Sequence, residues 1–171
     1  MNLIRRNRTV PFAVIAALVF VTIASAQGNQ HQQSSADNER TIQGVWRTMV
    51  TGVDCQTGVP LGGAPILGLF TFNDGGTMSE YGIGPGSSPA LRSPGHGVWE
   101  RTHGWQDYSY AFTYYRYNSS GVFIGSQKVT SALELGASGD EFITHSVVSV
   151  LDANDNVIAT RCATAAGTRF E

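Results

Sequence analysis

Lysine is nearly absent from this chain: of eleven basic residues only Lys128 is one, and no run or face of positive charge exists. A protein that neutralises a row of phosphates needs such a face, so nucleic acid is not an expected partner. Three arginines, Arg5, Arg6 and Arg8, sit at the N-terminus, and without them eight basic residues face thirteen acidic ones, a formal charge of −5. That balance also disfavours anionic membrane surfaces. Cysteine is scarce, with only Cys55 and Cys162. The four histidines do not supply a metal site by spacing. His96 and His103 would stand roughly 23 Å apart in an extended strand and face opposite sides, His145 is alone within an apolar run, and His31 lies in a polar stretch. No metal and no cofactor are expected. Also missing are a nucleophile elbow and a phosphate-binding glycine loop, because Gly82-x-Gly84-x-Gly86 runs into Ser-Ser-Pro and not into a helix. From residue 41 onward no apolar repeat of helical period reaches ten residues, which excludes a helical fold.

Residues 1–26 have a basic head, an apolar run over 11–24 and the ending Ala24-Ser25-Ala26. This is the plan of a secretory signal cleaved after Ala26. The apolar run is short of the roughly 20 residues a membrane-crossing helix needs, and no second one follows, so a secreted or periplasmic location is expected, with no integral membrane domain. Residues 27–40 (QGNQHQQSSADNER) are polar, without aromatic residues, and read as a flexible tether. Residues 41–171 then form one domain. In an oxidising compartment Cys55 and Cys162 are expected to form a disulfide.

The domain reads as short runs rich in Val, Ile, Thr, Tyr and Phe between clusters of Gly, Asn and Asp. They cover residues 42–51, 66–73, 77–83, 96–102, 108–117, 122–135, 141–152 and 157–164. Asp74-Gly75-Gly76 marks a hairpin between the second and third, since glycine accepts the positive φ of a tight turn. Residues 84–95 hold three prolines and three glycines and make a long loop at the rim. Eight strands with mostly short connections predict an all-β, antiparallel up-and-down barrel, in which closure removes both exposed edges. A two-sheet sandwich is the alternative. The cysteines favour closure, because Cys55 follows the first strand and Cys162 lies in the last.

Gly44-Val45-Trp46 opens the first strand and Gly97-Val98-Trp99 recurs in the fourth. A glycine two residues before a tryptophan shares its face and leaves room for the indole across a barrel end. Gly-x-Trp at the start of an exported eight-stranded meander resembles the lipocalin and wider calycin barrels. The resemblance implies an internal site for a small, often apolar molecule, and an arginine near the last strand, Arg161 or Arg169, covering Trp46. A second resemblance, in size and aromatic content, is to allene-oxide-cyclase-like barrels, which include cyclases and isomerases.

The fifth run, Tyr108-Ser-Tyr110-Ala-Phe112-Thr-Tyr114-Tyr115-Arg116-Tyr117, alternates so that Tyr108, Tyr110, Phe112, Tyr114 and Arg116 share one face. An aromatic wall ending in an arginine suits a ring or a carboxylate-bearing ligand, although the same residues serve equally as core packing. The acids within strands, Glu80, Glu100 and Glu134, are expected to point outward, with Glu80 the one able to turn in. The leading expectation is a small-molecule-binding barrel whose hydrophobic or amphiphilic ligand meets Trp99, Tyr110, Phe112, Tyr114, Arg116 and Glu80 in a cavity lined by strands four to six. The alternatives are a cyclase or isomerase using Glu80, Arg116 or Tyr114, and a structural or interaction module of the cell envelope.

Overall fold

The computed structural model describes residues 40–170; the expected export signal and all of the expected tether except Arg40 lie outside them. The strands are β1 (Gly44–Val53), β2 (Ile66–Phe72), β3 (Thr77–Ile83), β4 (Gly95–His103), β5 (Asp107–Tyr117), β6 (Phe123–Leu135), β7 (Glu141–Leu151) and β8 (Val157–Arg169). Each pairs antiparallel with its sequence neighbour, and β1 pairs with β8, so the sheet is a closed up-and-down barrel. The sandwich alternative is thereby excluded. The only helical element among the described residues is a 3-10 turn, Pro89–Leu91, and no described helix is long and apolar enough to cross a membrane.

Closure is an eight-pair ladder from Trp46↔Arg169 to Val53↔Cys162. Cys55 lies just past its end and is bonded to Cys162, with the two Cα atoms 5.1 Å apart. The hairpin at Asp74-Gly75-Gly76 forms as its turn chemistry dictates: both glycines have positive φ, +80° and +82°, and the Asn73 N–H donates to the Thr77 carbonyl at 2.8 Å.

The largest departure from the sequence reading is β8, which continues five residues beyond the expected Thr164, to Arg169. Ala165-Ala166-Gly167 has little strand propensity of its own. It is held because Ala165 pairs with Val50 on one side and Thr144 on the other. Gly167 is small for a packing reason, since a Cβ there would come within 2.2 Å of the Phe142 ring. Alternation holds along most strands, with Trp46 and Thr48, Phe70 and Phe72, Met78 and Glu80, Tyr108 to Phe112, and Phe142 to Val150 buried on the inner face.

Candidate functional site

The two ends of the barrel are built differently. At the end where β1 begins, Trp46 is fully buried, its Nε1–H donates to the Ile42 carbonyl at 2.7 Å, and the Phe142 ring lies 4.9 Å away. Arg169 roofs it, with the guanidinium 4.3 Å from the indole centroid. That guanidinium donates to the carbonyls of Gln43, Thr41 and Gly139. Arg169, and not Arg161, therefore takes the structural role beside Trp46. Both side chains face the same way along β8, but eight residues at about 3.3 Å each put Arg161 at the opposite end. Gly44 has φ +119°, and a Cβ there would approach Arg169 Nη1 to 3.1 Å, so glycine is what lets the arginine lie down. Trp99 belongs to this closed end as well. It packs on Phe72 and Tyr108 and donates to the Asn73 carbonyl at 2.9 Å. It faces inward as expected, but at a height that removes it from the cavity.

Toward the other end the interior opens into a cavity of about 200 Å³. Its walls come from every strand except β4, not from strands four to six as the alternation predicted. Strand β4 offers only glycine here. A Cβ on Gly95 would sit 2.7 Å from Glu80 Oε2, and one on Gly97 would sit 1.9 Å from the Ala111 carbonyl. Tyr110, Phe112 and Tyr114 line the cavity as a stacked series, with centroids 6.1 Å and 6.5 Å apart. Phe70, Val129, Val148 and Ala165 supply apolar wall, and Ser146 and the Tyr110 phenol bring polarity at mid-height. Ser146 Oγ lies 2.9 Å from Ser131 Oγ.

Glu80 points into this space and is 6% exposed, against the expectation that it faces solvent. Glu100 and Glu134 do face outward. A carboxylate inside a barrel is costly unless paired, and the partner is Arg92, from the loop after β3. Arg92 forms an ion pair with Glu80, donates to the Gly82 carbonyl at 2.8 Å, and lies 3.6 Å above the Tyr114 ring. The loop thus folds over the rim and closes part of the mouth. Burial pushes the Glu80 carboxyl above its ordinary value of 4.5, and the hydrogen bonds and charge of Arg92 only partly offset this. Burial raises the Tyr114 phenol too, against the lowering fields of Arg92, Arg116 and Arg161, and it raises Tyr110.

A raised carboxyl has a definite consequence for stability. The unfolded chain loses the Glu80 proton first, so stability falls as pH rises from about 4.5 through the folded-state value and is level above it. Glu80→Gln is expected to remove that decline, which denaturant titrations of both proteins between pH 4 and pH 8 would show. Equal slopes for the two proteins would contradict the buried carboxyl.

Arg116 stands at the rim, at the end of the inward series of β5, whose register runs unbroken up to it. The ladder between β5 and β6 shifts between Arg116 and Tyr117, and Arg116 shares a separate depression with Arg92, Tyr114 and Gln127. Arg161 lines the cavity itself at its mouth. Sequence reasoning missed Arg92, although one signal was present: it is the only charged residue in the proline- and glycine-rich stretch 84–95. No group of three or more His, Cys, Asp or Glu that could hold a metal occurs among the described residues.

A broader depression of about 670 Å³ lies on the outer wall across β1, β2 and β3. Its exposed apolar side chains include Met49, Leu67 and Leu69. No protein-family model matches the chain, and no curated protein is significantly similar to it.

Proposed function

We propose that this protein is an exported barrel that binds a small hydrophobic or amphiphilic molecule in the cavity beneath the 84–95 loop. The observation that carries this reading is the half-filled interior: one end is packed solid around Trp46, while the other keeps about 200 Å³ between apolar walls and a few convergent polar groups. An engineered apolar cavity of about 150 Å³ accepts benzene, so the volume suits a single substituted ring or a short chain. The N-terminal signal pattern and the Cys55–Cys162 bond support a secreted or periplasmic location. The end-capping pair Trp46 and Arg169 supports kinship with calycin-type binders.

Native mass spectrometry of the protein purified from its own compartment tests the reading. A retained small-molecule mass, displaced by filling the cavity with Ala163→Phe, is the expected result. Protein that carries no adduct and takes up no small apolar probe would overturn it.

A second reading is favoured by one observation, the burial of an ionisable pair against the aromatic wall. In a barrel cyclase or isomerase, Glu80 would move a proton and Arg92 and Tyr114 would orient the substrate. Conversion of a bound molecule, lost in Glu80→Gln while binding persists, separates this reading from simple binding. The outer apolar depression is the feature that a structural role in the envelope would use.

A further inference from the structure

We infer that the ligand of this cavity carries an anionic head, and that Arg116 and Arg161 receive it at the mouth while the apolar part enters the barrel. The inference deepens the binding reading above and rests on it.

The argument is one of charge in the wrong place. The chain is acidic, yet three of the seven arginines among the described residues, Arg92, Arg116 and Arg161, gather at the open end. The other four lie at the closed end or on the outer wall. Against these three stands a single inward carboxylate among the described residues, Glu80, and it is already committed to Arg92. The Arg161 side chain makes no hydrogen bond or ion pair with any described residue, and it lines the cavity. Arg116 goes further, because its Nη1 is buried without an acceptor. A buried guanidinium donor without a partner is costly, and a carboxylate or similar planar anion is the acceptor whose geometry matches it. The charges of all three arginines act on the Tyr114 phenol, so they converge on one region of the rim.

Neither Arg116 nor Arg161 forms an ion pair with an acid among the described residues. Asp54, in the loop after β1, accepts from the backbone of Gln56 and Thr57, and Asp152, in the β7 to β8 turn, accepts from the backbone of Asn154 and Asn156. Neither lines the cavity. At roughly 30 Å³ per water in the liquid, the cavity has space for about seven waters. A chain of six to eight carbons is of the size that such a volume admits, and Gln127 lines both this cavity and the depression that holds Arg116.

Three probes of equal length test the proposal on the unmodified protein by calorimetry at low salt: octanoate, octan-1-ol and octylammonium. Octanoate is expected to bind at least about ten-fold more tightly than octanol, as one charge-assisted hydrogen bond allows, and octylammonium most weakly. Raising the salt to about 0.5 M should narrow the gap, since exposed charge is screened at that strength. Arg116→Gln combined with Arg161→Gln should abolish the preference for octanoate. Equal binding of octanoate and octanol, or a preference that survives the double substitution, overturns the anionic head and leaves the cavity reading standing. Failure of all three probes to bind overturns both.

Discussion

Trp46→Ala is expected to cost the barrel about 3–5 kcal/mol, the usual range for emptying a buried tryptophan site. The urea midpoint should fall with little change in slope, and the melting temperature should drop by at least about 10 °C. Three contacts fail at once. The indole leaves a cavity against Phe142, the Ile42 carbonyl loses its donor, and Arg169 loses the ring beneath its guanidinium. Because that guanidinium also ties the 41–43 segment to Gly139, the damage should spread across the closed end. Trp46→Phe keeps an aromatic ring, though a smaller one, and loses the N–H, so a smaller loss of about 1–3 kcal/mol is expected. Hydrogen exchange should locate the loosening in Gln43 to Arg47 and at the end of β8. A Trp46→Ala protein within about 1 kcal/mol of the parent would mean that the end is held by other contacts.

Removal of the disulfide is the second large effect. The bond joins residues 107 apart in sequence, and a closed loop of about 100 residues restrains the unfolded chain by about 4.7 kcal/mol in the chain-entropy picture. The double substitution Cys55→Ser with Cys162→Ser is expected to lose about 2–5 kcal/mol, as is usual for native disulfides. The folded barrel should remain closed, because the eight-pair ladder between β1 and β8 does not depend on sulfur. The effect is therefore placed in the unfolded state, and the denaturant slope should rise as that state expands. Cys162 also lines the cavity, so loosening of the rim around Arg161 is expected alongside the loss of stability. An unchanged midpoint would show that the ladder alone accounts for closure.

The residues that could be read in advance are those whose placement depends on near neighbours. The positive-φ glycines at 75 and 76 make the β2 to β3 hairpin wherever it occurs. The inward set Tyr108, Tyr110, Phe112 and Tyr114 follows from a period of two. Arg116 keeps that period, since the ladder shifts only after it, but its height puts it at the rim and not in the cavity. Glu80 was misread for a different reason: its inward position is tolerable only with Arg92, twelve residues away in a loop without regular structure. Arg161 and Arg169 share a face of β8, and no local rule says which of them reaches Trp46.

Local chemistry was thus enough for the all-β class, the eight strands, the inward face of the aromatic strand β5, and the pairing of two cysteines that closure brings together. Alternation reports a side and says nothing about height along the barrel axis. Height depends on the register of each ladder around the closed sheet, a sum of long-range pairings that ends at β1 and β8. That sum puts Trp46, Trp99 and Arg169 in a packed floor, and Glu80, Arg92, Tyr114 and Arg161 around an open mouth.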